Sequence, residues 1–142
     1  MRIALVALLI AGLGLAYAAI MITTTPHTTP WRVAADGLYI DRPLDHDFYP
    51  KSELLLSAMK IIDLAESPAW RPAYREHGEG GMGYSAGAWT LFNGTKVRLH
   101  FAHESRAILI PRRRGRPVMI GIGDLDAFLA KARATWGVPA IP

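Results

Sequence analysis

The sequence predicts a mainly β domain closed by one C-terminal helix and carried behind a single N-terminal membrane helix. Three observations point there: an uncharged run over residues 3–22, hairpin dipeptides between short runs of β-branched and aromatic residues, and a helical apolar stripe near the C-terminus. Of the 142 residues, setting aside the first 22 leaves 120, enough for one domain with a sizeable core and too few for two. The chain has no cysteine, which excludes a disulfide framework, a thiolate nucleophile and cysteine-ligated zinc or iron–sulfur sites. Its 16 basic and 12 acidic residues give a net charge of +4, too small to mark a nucleic-acid binder, and no nucleic acid is expected as a partner.

Twenty helical residues at about 1.5 Å each reach roughly 30 Å, the thickness of a bilayer's hydrocarbon core. Residues 1–22 are therefore expected to remain as a single-pass anchor in the cell membrane. The competing reading is a cleaved signal peptide, since Arg2 supplies a positive start and Ala16-Tyr17-Ala18 fits the small-x-small cleavage pattern. Apolarity continues through Ala19, Ile20, Met21 and Ile22, so a cut after Ala18 would leave a greasy mature terminus, and this favours the anchor. Orientation stays open, because Arg2 and the α-amine on one side balance Arg32 and Arg42 on the other. Gly12 and Gly14, each four residues before an alanine, permit close approach of a second helix, but small residues are common in membrane spans and do not by themselves argue for a dimer. Residues 23–30, TTTPHTTP, read as a polar linker with two prolines, and His27 within it has no ligand-type neighbour.

Residues 31–137 form the expected domain, followed by a short tail, 138–142. Asp36-Gly37 separates residues 32–35 from 38–41, and Asn93-Gly94 separates 88–92 from 96–101; both dipeptides tolerate the positive φ of a tight two-residue turn. A third connection, residues 111–117, joins 107–110 to 118–122, with Gly115 available for a left-handed position. Val97, Leu99 and Phe101 alternate with Lys96, Arg98 and His100, the period of a strand with one buried face. Successive strands without intervening helices argue for an antiparallel sheet closed or folded on itself. Residues 51–66 carry Leu54, Leu55, Ala58, Ile61, Ile62 and Ala65 at helical spacing, which slightly favours a helix over a buried strand at 59–64. The last element is a helix with Leu125, Phe128, Leu129, Ala132 and Trp136 on one face, Asp124 as N-cap, and Gly137 and Pro139 as its stop. A helix of about three turns cannot bury that stripe alone, so it should pack on an open end or face of the sheet.

The Asp-Gly hairpin, Arg75-Glu-His-Gly78 leading into a glycine-rich stretch to Gly87, the run from Ala88 through Asn93-Gly94 to Leu99, and the final Asp-Leu-Asp-Ala-Phe-Leu helix together resemble the bacterial pleckstrin-homology-like (PH-like) domains. The resemblance covers about residues 31–136. Arg75 and Gly78 approximate the family's R-x-x-G, and Gly87 with Trp89 its G-x-F, here with Trp in place of Phe. It implies a bent antiparallel barrel of about seven strands with a C-terminal helix plugging one end, often behind N-terminal membrane helices. It turns 59–64 into a strand, and it brings no catalytic residues.

The residues offer little defensible catalysis. Residues 78–83 lack the Gly-Lys-Ser/Thr ending that a phosphate-binding loop needs, and read as a flexible loop between strands. His100 and His103 are three apart, which on a strand sends them to opposite faces, so no shared metal is expected. Asp45-His46-Asp47 splits across two faces, and Ser52, Ser57 and Ser85 lack a nucleophile-elbow context. No cofactor is expected.

Charge is more informative. Residues 96–116 hold seven basic residues against one acidic, Glu104, a balance of +6, whereas residues 32–66 hold four basic and seven acidic, a balance of −3. Arg112, Arg113, Arg114 and Arg116 concentrate on one hairpin tip, where guanidinium forks suit lipid phosphates or an acidic protein partner; a solvated turn is the competing reading. The favoured function is a membrane-anchored, non-enzymatic binding or scaffold module for a protein or anionic lipid. The alternative is a small exported or anchored enzyme using His77, His100 or His103 near the glycine-rich stretch.

Overall fold

The computed structural model describes residues 2–24, 27–42, 45–80 and 83–141. Helix α1 spans Arg2–Thr24, two residues past the apolar run. Its stretch Ile3–Ile20 has a mean hydropathy of 2.5 and no buried residue, so by length and composition it can cross a membrane; a signal sequence meets the same description.

The remainder is mainly β. A three-stranded antiparallel sheet is formed by β1 (Trp31–Ala34), β2 (Gly37–Arg42) and β3 (Asp45–Pro50). A six-stranded sheet contains β4 (Lys60–Asp63), β5 (Pro72–Glu79), β6 (Ser85–Leu91), β7 (Lys96–Phe101), β8 (Arg106–Ile110) and β9 (Val118–Gly121), in the order β4-β8-β9-β7-β6-β5. Among the described residues there are thus nine strands where about seven were expected. The expected antiparallel arrangement fails at one pair: β9 lies between β8 and β7, antiparallel to the first and parallel to the second, with Arg98 opposite Val118 and His100 opposite Ile120. The reason is local. The β8–β9 connection forms a hairpin, so β9 returns in the direction of β7 and fills the ladder left open because β8 pairs outward with β4.

Strands β8 and β9 are buried on both faces. Ile108, Ile110, Val118 and Ile120 point into a core shared with β1, β2 and the C-terminal helix, while Ala107, Leu109 and Met119 point into a second cluster with Val97, Leu99 and Phe101. This period-2 division is the pleat of a central strand, and it holds the loop between β8 and β9 on a rigid base.

Helix α2 is Leu125–Trp136. The Asp124 carboxylate accepts from the Ala127 N–H at 2.9 Å, and Gly137, left-handed at φ 67°, ends it. Phe128 is fully buried and meets Trp31 edge-to-face at 5.1 Å, while Trp136 Nε1–H donates to the Ala34 carbonyl at 2.8 Å, seating the helix on β1. Buried Val138 and partly buried Ile141 extend that packing into the tail.

Residues 51–66 are not a helix. They form two 3-10 turns, Lys51–Glu53 and Leu56–Ala58, and then β4. The Leu55 N–H bonds to the Pro111 carbonyl, and Ile61 and Ile62 pair with β8, so tertiary hydrogen bonds and β-branching override the helical spacing. The first hairpin turns one residue earlier than expected, with Gly37 already paired to Ala34. The second uses residues 92–95 rather than two, with Gly94 at φ 83°. The glycine-rich stretch is partly strand: Gly78 and Gly87 lie directly opposite each other at φ 113° and 110°, and a Cβ on either would strike the carbonyl of Ala86 or His77. Gly81 and Met82 lie outside the described residues.

Candidate functional site

The four tip arginines have different environments. Arg112 Nη2 bonds to Glu53 Oε2 at 2.9 Å, and its guanidinium lies 5.5 Å from the centroid of the Tyr49 ring. The Arg113 N–H bonds to the Glu53 carbonyl and its Nε–H to the Ser52 carbonyl, both at 2.8 Å. Arg116 pairs with Glu76, which also accepts from the Thr90 hydroxyl at 3.1 Å and lies 3.4 Å from Lys96 Nζ. The Arg116 hydrogen bond, against a smaller opposing effect of burial, holds the Glu76 carboxyl below its ordinary range. Arg114 is exposed and makes no hydrogen bond or ion pair among the described residues.

The tip is therefore not one uniform patch. Glu53 and Asp47 of the acidic stretch, joined by Glu76 from outside it, reach across to the basic segment, so the opposite charge balances read along the chain interlock in space instead of forming two poles. Arg113 and Arg114 face solvent, while Arg112 and Arg116 turn back with Arg98 of β7 onto a cleft of about 390 Å³, which Asp47, Phe48, Tyr49 and Ala88 also line. Arg98 is put on the polar face of its strand by the alternation along β7, which carries no sign of the cleft. Its membership of the cleft depends on the parallel β7–β9 pairing, which has no local sequence signal; the Arg98 N–H is bound to the Pro117 carbonyl at the base of the loop.

Beneath the cleft lies a buried polar pair. Tyr49 hydroxyl and His100 Nε2 are 2.7 Å apart, with His100 fully buried. Desolvation, reinforced by Arg42 and Arg98, drives the His100 pKa down to about 3, and burial pushes the Tyr49 hydroxyl up to about 12. The imidazole is neutral and the phenol protonated at neutral pH. Asp47 Oδ2 lies 3.9 Å from His100 Nδ1, beyond hydrogen-bond range.

The other histidines stand apart. His103 follows the end of β7 in a left-handed conformation, φ 67°, and packs on Phe101, so the expected opposition of His100 and His103 across one strand becomes a separation between core and loop. His77 sits on β5 opposite Ala88, which in turn faces Arg98, two strands away from β7 and out of step with His100. Among the described residues, no three His, Asp or Glu side chains gather as a metal would require.

The end of the linker is built into the domain. Thr29 is buried; its N–H donates to Glu104 Oε1 at 2.6 Å and its hydroxyl to the His100 carbonyl at 3.3 Å. Glu104 Oε2 also accepts from the Ala102 N–H at 2.7 Å, and the carboxylate fits against Gly121, where a Cβ would collide with it. This clamp lies at the Ala107–Gly121 end of the β8–β9 hairpin, and the arginine cleft lies beyond its Ile110–Val118 end. Compared with family models, curated proteins and solved structures, the chain matches none.

Proposed function

We propose that the chain is a single-pass, membrane-anchored, non-enzymatic binding module whose domain engages a protein partner on the side facing away from the bilayer. The observation that carries this reading is the opposition of tether and arginines. From the end of α1 at Thr24 to the clamped Thr29 is five residues, at most about 18 Å of extended chain. That length keeps the Glu104 end of the domain near the membrane. With β9 standing along the bilayer normal, its three-residue rise from Gly121 to Val118 would set the arginine end roughly 10 Å further out, with the loop itself projecting beyond. Basic side chains gain about 1 kcal/mol each from anionic lipid only when held at the surface, within a Debye length of roughly 8–10 Å. An acidic protein surface in the aqueous phase is the better match for this placement.

The PH-like resemblance extends only to the coarse architecture. Two β layers with a C-terminal helix seated on the first hairpin support it; the parallel pair and the ninth strand depart from it. The binding role therefore rests on the site and the tether, not on the fold.

A photoreactive residue replacing Arg114 in the full-length chain, activated in native membranes, tests the proposal. Protein adducts without lipid adducts are expected. Lipid adducts would return the tip to the bilayer, and the absence of either would remove the binding role from this end of the domain.

A further inference from the structure

We infer that the cleft formed by Arg98, Arg112 and Arg116 is a receptor for a single carboxylate on an acidic segment of the partner. This deepens the binding-module reading and rests on it.

Three features support the assignment. First, the three guanidinium groups come from two separate elements, β7 and the β8–β9 loop, and converge on one concavity whose wall includes Tyr49. Second, donor capacity is left over. Arg112 Nε and Arg116 Nη1 are buried without a hydrogen-bond partner among the described residues, and the carboxylate contact of Arg98, to Asp47 Oδ1, is long at 3.8 Å. Each unmade hydrogen bond leaves a desolvated N–H uncompensated, so a side-chain shift that turned either guanidinium toward an acceptor in the cleft would recover that bond. Third, Arg98 and Arg112 both act on the Tyr49 hydroxyl at the cleft wall, opposing the Asp47 carboxylate beside it, so the guanidinium groups bear on the concavity itself.

The charge count selects the ligand. Asp47, Glu53 and Glu76 already contact the three arginines, so the cleft has spare N–H donors but little surplus charge. A monoanion with two acceptor oxygens suits that condition better than a phosphate dianion, whose affinity would depend on net charge. Arg112 already makes one guanidinium–carboxylate bond of this kind, to Glu53. Arg98 also bonds to the Tyr49 hydroxyl, but with its side chain 42% exposed it is the most accessible of the three and the group placed to receive the ligand.

The test uses the full-length chain in nanodiscs of zwitterionic phosphatidylcholine, where no anionic lipid competes, with a fluorescent hexaglutamate peptide read by anisotropy at low salt. Wild type should bind the peptide, and inorganic phosphate should displace it only at far higher concentration. Arg98→Gln should weaken binding at least tenfold, and Arg98→Lys nearly as much, because a point charge does not reproduce the fork. Arg133→Gln removes the same charge from the exposed face of α2 and should change binding less than twofold. Equal loss from Arg98→Gln and Arg133→Gln would replace the cleft by diffuse attraction. Preferential binding of phosphate would overturn the carboxylate assignment, and so would failure of wild type to bind the peptide. Because these discs contain no acidic lipid, such a failure is separable from lipid capture by the tip, which the photoreactive variant reports.

Discussion

The hydroxyl of Tyr49 lies 2.7 Å from Nε2 of His100, joining the three-stranded sheet to the six-stranded one through a buried pair. Along the chain the two residues are 51 positions apart, and each belongs to a strand whose exposed-face pattern gives no warning of the contact. The pair makes the domain sensitive to acid.

Burial, with Arg42 and Arg98 adding to it, lowers the folded-state pKa of His100 to about 3, against about 6.5 in the unfolded chain. The unfolded state therefore binds the proton more readily. The stability is fully present above pH 6.5 and is lost as pH falls toward 3, on the order of 1 kcal/mol per pH unit. Denaturation midpoints of the detergent-solubilised chain between pH 7.5 and pH 4.5 should show this slope, and His100→Asn should flatten it. An equal slope in the variant would assign the acid sensitivity to other groups.

Phe128 is fully buried between α2 and Trp31, so Phe128→Ala should destabilise the domain by about 3–5 kcal/mol through transfer and cavity terms. Denaturant unfolding followed by tryptophan fluorescence measures it; a loss below about 1 kcal/mol would mean that α2 is not integral to the core.

Arg112 and Arg114 should differ in their effect on folding. Arg112→Gln removes the partner of Glu53 at a half-buried site and should lower stability by roughly 1–2 kcal/mol, whereas Arg114→Gln should stay within about 0.5 kcal/mol. Indistinguishable melting curves for the two variants would show that the Glu53 pair contributes nothing measurable.

Retention of α1 is open to direct measurement. The intact mass of the protein recovered from the membrane fraction should include the residues before Ala19, and a soluble form beginning at Ala19 would establish cleavage instead.

The features legible in the sequence are those governed by neighbours along the chain. The apolar run of α1, the 3.6-residue stripe of α2 with its Asp124 cap and Gly137 stop, the alternation in β7 and the left-handed Gly115 all follow from local sterics and periodic burial. Placing the arginines on the β8–β9 tip was within reach for the same reason. What these arginines face was decided by tertiary structure. Residues 51–66 gave up helical spacing because β4 completes the ladder of β8, and His100, on the same strand face as Arg98, is buried because Tyr49 covers it. Arg98 joined Arg112 and Arg116 only because β9 folds back parallel to β7. Each of these is a contact between residues far apart in the chain, whose free energy depends on partners that no local window contains.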